Sequence, residues 1–159
     1  MSPVKLDATD VRILRELQGD GRISNVQLAE RVNLSPSPCL ARVRALEKAG
    51  VIDRYVAILD PEVVGLPISV FIRIALEKQQ EANLERFEAT VRDYPNVMEC
   101  YLMSGDSDYL IRVVVKDITE LQDFIVQKLT KIEGVANIQS SFALKQVKYK
   151  TALPLDPVP

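Results

Sequence analysis

The sequence predicts an α+β chain in two parts, three short helices followed by a β-α-β-β-α-β series, and three observations predict it. Up to Gly50 the apolar residues recur at three and four, the period of an amphipathic helix. From Ile68 they alternate at two, as on a half-buried strand. Between these patterns Asp60-Pro61, Gly65 and Pro67 interrupt both periods and mark a linker. At 159 residues the chain is long enough for one average domain or two small ones, each with a modest core.

Asp7 caps a first helix, with Asp10 three residues on in a capping-box-like arrangement and Val11, Leu14 and Leu17 at core spacing. Gly19-Asp-Gly21 ends it, and Ser24 caps a short second helix whose apolar contacts are Val26, Leu28, Ala29 and Val32. Asn33-Leu34 then makes a tight turn into the third helix. Ser35 and Ser37 can each accept from an orphan amide there, Pro36 or Pro38 fills its first position, and Gly50 closes it. Leu40, Val43 and Leu46 mark the expected buried face, whereas Ser37, Ala41, Arg44 and Lys48 fall on the opposite side with Arg42 on the flank. Residues 52–59 alternate as a strand.

In the second part Ile68, Val70, Ile72, Ile74 and Leu76 alternate strictly. Leu84, Phe87 and Val91 give a helix stopped at Tyr94-Pro95. Two strands, 97–104 and 108–115, are joined across Gly105-Asp-Ser, and Asp117 caps a helix bearing Leu121, Phe124, Ile125, Leu129 and Ile132 that ends at Gly134. A last strand covers 135–145. The halves repeat faintly, since Leu84 and Phe87 leading to Val97 echo Leu121 and Phe124 leading to Val135. Two such halves pack most simply as a ferredoxin-like sandwich with one sheet face left open. Phe71, Tyr101, Leu110 and Phe142 are too apolar for water if they point there, so a homodimer through this face is expected. The predicted division is a helix-turn-helix, winged-helix-like domain over 1–52, a hinge strand and linker over 53–66, the ferredoxin-like domain over 67–150, and a Pro-rich, poorly ordered tail over 151–159.

Composition excludes several classes. No apolar run approaches the ~18 residues of a membrane span, and Met1 to Lys5 followed by an acidic segment is no signal peptide, so a cytoplasmic, nucleoid-associated protein with no membrane partner is expected. Cys39 and Cys100 lie far apart without a ligand-spaced partner, so neither a disulfide framework nor a metal site is expected and both read as packing residues. Histidine is absent, which removes the commonest general base and transition-metal ligand, and the six glycines form no phosphate loop, so no cofactor is expected. The charge of −2 is unevenly spread: residues 1–60 carry nine Lys/Arg against eight Asp/Glu, and the remainder eleven against fourteen. Any contact with DNA therefore belongs to the first third.

The third helix suits such a contact. Small residues at its first turn can reach base edges in a major groove while cations along its outer face meet phosphate. A solvated amphipathic face would read the same in isolation, but two short helices ending in a tight turn before it complete a helix-turn-helix. The expected DNA-binding residues are Ser35, Ser37, Pro38, Ala41, Arg42, Arg44 and Lys48.

In this order the residues resemble the Lrp/AsnC (leucine-responsive, feast/famine) family of transcription regulators. The resemblance runs from residue 6 to about 153. It rests on Leu6-Asp7, Asp10, Ile13-Leu14, the Asp20-Gly-Arg22 turn, Leu28-Ala29, Leu34 to Cys39, Arg42-Val43, Leu46-Glu47 and Gly50 to Ile52, then on Asp60-Pro61, Gly65, Gly105 to Tyr109 and Ser140 to Phe142. It implies a DNA reader joined to a RAM-type effector domain that dimerises, often assembles to an octamer, and binds an amino acid. A two-fold dimer would read a pseudo-palindromic operator in double-stranded DNA.

Taken alone, Gly105 to Asp108 is a hairpin turn. With the resemblance it becomes the expected effector site, because turn amides supply donors for a carboxylate and an Asp supplies an acceptor for an ammonium. The expected effector-binding set is Tyr101, Met103, Gly105, Asp106, Ser107, Asp108, Ser140 and Ser141, the last two placed by the resemblance. An apolar pocket favours leucine or methionine, while the extra acid leaves lysine or another polar amino acid open. Two alternatives stand beside this reading: a DNA-architectural protein without an amino-acid response, and a small amino-acid-metabolising enzyme using Asp106, Asp108 and Tyr109. Three polar residues near a turn make no mechanism, so no enzyme is expected.

Overall fold

The computed structural model describes residues 4–78 and 80–155. The chain divides into two compact units, Met1–Ile58 with Lys148–Pro159, and Leu59–Val147.

In the first unit α1 (Ala8–Gly19), α2 (Asn25–Arg31) and α3 (Pro36–Lys48) pack around Ile13, Leu14, Leu28, Ala29, Val32, Cys39 and Leu46. The Asp7 carboxylate accepts from the backbone N–H of Thr9 and of Asp10 at 2.8 Å each, and the Asp10 side chain returns to the Asp7 N–H at 3.1 Å. Ser24 and Gln27 form the same reciprocal box at α2. Both α2 and α3 close as Schellman motifs. The Leu34 N–H reaches the Ala29 carbonyl at 2.8 Å with Asn33 at φ 58°, and the Val51 N–H reaches that of Leu46 at 3.0 Å with Gly50 at φ 70°. The Asn25 amide donates to the Pro36 carbonyl at 2.8 Å and ties the start of α2 to that of α3.

Three expectations change here. Cys39 is fully buried, whereas Leu40 is exposed, so the inward stripe of α3 is Cys39, Val43 and Leu46, at four and three, not Leu40, Val43 and Leu46. Residues 52–59 form no strand, because an alternating segment becomes one only beside a ladder partner and no described strand lies beside it. The tail is held through its described part: Leu153 exchanges hydrogen bonds with the Gln18 amide, Arg15 donates to the Leu155 carbonyl, and Leu155 packs on the core. Residues 156–159 of the tail lie outside the described residues.

The second unit is β1 (Ile68–Leu76), α4 (Glu81–Arg92), β2 (Val97–Leu102), β3 (Tyr109–Val115), α5 (Ile118–Gln127) and β4 (Val135–Phe142), a ferredoxin-like antiparallel sheet in the order β2-β3-β1-β4. Val70, Ile72, Ile74 and Leu76 of β1 face the helices and are buried with Phe87, Val91, Leu121 and Phe124. The helix expected to run from Asp117 to Gly134 ends at Gln127, and a 3₁₀ turn at Leu129–Lys131 follows. Phe142 pairs with Val70 and so shares the helix-covered face, contrary to expectation, while Phe71, Leu110 and Tyr101 share the open one. No helix among the described residues is long and apolar enough to cross a membrane.

Asn33 occupies a left-handed conformation that costs ordinary residues about 1–2 kcal/mol. Asn33→Ala is expected to lower the stability of the first unit by about 1 kcal/mol while Asn33→Gly costs less, measured by urea unfolding.

Candidate nucleic-acid interface and effector turn

With Cys39, Val43 and Leu46 inward, Ser37, Ala41, Arg44 and Lys48 lie roughly half a turn away at 100° per residue, and all four are exposed. Ser35 is the N-cap of α3, and its side chain makes no capping bond; Pro36 occupies the first helical position, and Ser35 and Pro38 are both exposed. A small polar first turn followed by two outward cations is thus presented on one surface.

Arg42 departs from this set. Its Nη1 lies 2.7 Å from Asp7 Oδ2 and 2.7 Å from Asp10 Oδ1, so the guanidinium bridges α3 to the capping box of α1 instead of joining the outer face. Geometry explains the choice. The flank of α3 meets the start of α1, where two carboxylates already sit at the positive helix end, and the guanidinium completes their neutralisation. The Asp7 carboxyl lies below its ordinary range, chiefly through the Asp10 N–H and then Arg42, and Arg42 is pushed up by the same pair. The two carboxylates were legible as a cap; their partner, more than thirty residues on, was not.

The turn expected to meet an effector is built by the ends of β1, β2 and β3. Gly105 adopts φ 127°, open to glycine and strained for other residues. The Met103 N–H donates to the Asp108 carbonyl at 2.8 Å, and the Asp108 N–H donates to the Ile74 carbonyl at 2.9 Å. The Asp108 carboxylate points inward, is buried, and accepts from the Leu76 N–H at 2.6 Å, where the ladder to β4 shifts register between Ala75 and Leu76. The structure therefore gives Asp108 the task of anchoring the turn to β1. Asp106 is the exposed carboxylate; Met103 and Gly105 are also exposed and Ser107 is half-buried.

The remaining expected residues do not gather there within one chain. Tyr101 lies on the open sheet face with its hydroxyl donating to Glu99 at 3.0 Å. Ser140 pairs with Ile72 and Ser141 with Phe71, so the two serines point to opposite faces. Both stand on β4, three strand spacings or about 14 Å from β2. Nor do the enzyme candidates converge: Asp108 is engaged by backbone, and the buried Tyr109 hydroxyl donates to Glu88 at 2.8 Å. Among the described residues no group of three or more His, Cys, Asp or Glu could hold a metal ion. Cys39 is a buried thiol pushed up by burial, in keeping with a packing role; Cys100 is exposed, its thiol raised by burial and by Glu88.

Comparison with known proteins adds to this geometry. Residues 6–53 match the model of a winged helix-turn-helix DNA-binding domain, and residues 69–153 that of the Lrp/AsnC ligand binding domain. A leucine-responsive regulatory protein of Rhizobium meliloti is 46% identical over 91% of this chain and 93% of its own. A Bkd operon transcriptional regulator of Pseudomonas aeruginosa is 49% identical over 95% and 99%. Among solved structures, a transcriptional regulator of Neisseria meningitidis in complex with L-Met superposes with a TM-score of 0.92 at 43% identity, covering 96% of this chain and 98% of that one.

The divided roles on α3 are separable by salt titration of DNA binding. Arg44→Ala and Lys48→Ala are each expected to weaken binding and to lower the slope of log K against log salt by about 1. Arg42→Met should leave that slope unchanged. Its effect is on folding: the stability contributed by the lowered Asp7 carboxyl is present above the ordinary value of 3.8 and is lost as pH falls through the folded-state value, so this variant flattens the acid limb of the unfolding curve.

Proposed function

The chain belongs to the Lrp/AsnC family of DNA-binding transcription regulators, and on that premise we propose that its DNA binding or assembly responds to a free amino acid of the leucine or methionine class. As a transcription regulator of this type it is not an enzyme. The observation that carries the amino-acid reading is the turn. The positive φ that Gly105 adopts and the inward anchor at Asp108 hold 104–107 outward with a single exposed carboxylate, Asp106, beside turn amides, a pairing of acceptor and donors suited to a zwitterion. Met103 supplies apolar surface at the turn, and the Neisseria relative is a complex with L-Met.

The recognition surface is Ser35, Ser37, Pro38, Ala41, Arg44 and Lys48. It carries few cations, so a single copy binds DNA weakly and several joined copies raise the effective concentration. The open sheet face supplies the joint. Phe71 is 37% and Tyr101 52% exposed there, beside Leu110 and an Arg112–Glu99 ion pair of 2.7 Å, and a second copy of the same sheet covers them. Ser140 and Ser141 then reach an effector only from another copy, in a larger assembly such as an octamer. A two-fold arrangement reads a pseudo-palindromic operator, and the amino acid acts by binding one assembly geometry better than another.

Two measurements test this. In a thermal-shift panel of the twenty amino acids, a ligand at about 100 times its Kd adds about 2.7 kcal/mol to the native state. A shift with leucine or methionine that is reduced in Asp106→Ala, while that variant still binds DNA without effector, supports the reading; no shift with any amino acid favours the architectural alternative. In sedimentation velocity Phe71→Asp is expected to yield monomers where the parent chain is at least dimeric, and an unchanged sedimentation coefficient removes the open face from the interface.

A further inference from the structure

The second unit carries a cleft of about 430 Å³ between α4 and the outer strand β2, on the helix-covered side of the sheet. It exists because β2 lies at the sheet edge and its ladder with β3 shifts register between Val97 and Glu99, so Met98 is an extra residue at the bulge. Leu102 pairs with the buried Tyr109 and so faces the helices, yet it stays 61% exposed, and Met98 is 52% exposed. The helix layer does not reach the edge, and an apolar notch remains.

Its polar groups are arranged by α4. Glu88 and Arg92 stand one helical turn apart, with side-chain roots about 5–6 Å from one another, and both line the cleft. A Glu and an Arg at this spacing are near enough to pair, but among the described residues neither joins an ion pair. Glu88 instead accepts from the Tyr109 hydroxyl at 2.8 Å, and the Tyr109 phenol is pushed well above its ordinary value by burial and then by Glu88, so it remains a donor that fixes the carboxylate. The other acid at the rim, Glu99, is taken by Arg112 at 2.7 Å. A fixed acceptor and a cation thus stand side by side over an apolar wall, in a volume within the usual range for small-ligand sites.

We propose that this cleft is a second binding site for a free α-amino acid, in which Glu88 accepts from the α-ammonium, Arg92 donates to the α-carboxylate, and an apolar side chain lies against Met98 and Leu102. The proposal rests on the reading that this domain binds an amino acid, but it uses other residues, since none of 103–108 lines the cleft. The paired charges select a zwitterion over a simple acid or amine, and the wall selects against a charged side chain.

The methionines separate the two sites, because Met98 lies in the cleft and Met103 in the turn. Full-length protein labelled with ¹³C at the methionine methyls is titrated with unlabelled L-methionine. The expected result is a saturable shift of the Met98 resonance that is at least tenfold weaker in Glu88→Gln and Arg92→Gln and survives in Asp106→Ala. N-acetylmethionine and methionine amide, each lacking one charge, should bind at least tenfold more weakly. A shift at Met103 alone overturns the cleft site and leaves the amino-acid reading standing, whereas no shift at either methionine with L-methionine or, in a parallel titration, with L-leucine overturns both. A Met98 shift unchanged in both Gln variants, or equal binding of the two derivatives, removes Glu88 and Arg92 and overturns the assignment.

Discussion

A four-stranded sheet with helices on one face leaves half of its alternating side chains without cover, and most of the second unit follows from that. In β1 the covered set, Val70, Ile72, Ile74 and Leu76, is buried against the two helices, each burial contributing about 1.5–3 kcal/mol relative to exposure. Ladder register extends the division to every neighbour, so Ile111 and Val113 are buried while Leu110 and Arg112 stand on the other side. The same asymmetry creates two unsatisfied places: the open face around Phe71, which a second copy fills in the proposed dimer, and the edge beside β2, where the helix layer stops short.

In the first unit the corresponding constraint is rotation about one helix axis. Two Schellman closures fix where α2 and α3 end, and the Asn25 amide and the Arg42 guanidinium fix how α3 lies against its neighbours. Once Cys39 and Leu46 are inward, Arg44 and Lys48 have no direction left but outward. The cation nearest the core is therefore neutralised internally and the two farthest from it are presented to solvent. This division suits a reader whose net charge is too small for coating DNA and whose contacts must be placed individually.

At the turn, burial of one carboxylate prepares the exposure of another. Burying Asp108 would be costly without donors, and the Leu76 N–H, exposed to it by the irregularity in the β1–β4 ladder, is one. The anchor draws 108 towards β1, and the short loop that remains, with Gly105 in a conformation closed to ordinary residues, carries Asp106 outward. Two aspartates two residues apart thus have different work, the first facing ligand in the proposed reading and the second holding its position.

Elements were legible in the sequence wherever their causes are local. The caps at Asp7, Ser24 and Asp117, the left-handed turns at Asn33 and Gly50, and the change of period after the linker each depend on a few adjacent residues, and they determined the helices, most strand bounds and the order of both domains. The turn from Gly105 to Asp108 was legible as a turn for the same reason. Only the tertiary structure decided that Cys39 and not Leu40 is buried, that Arg42 meets Asp7 and Asp10, that Asp108 points inward, that Ser140 and Ser141 part to opposite faces, and that residues 52–59 lack a ladder. Most of these turn on rotation or register, since one residue is 100° around a helix and a reversal of face on a strand, and the partners that set those phases, or whose absence leaves 52–59 unpaired, are not adjacent in the sequence.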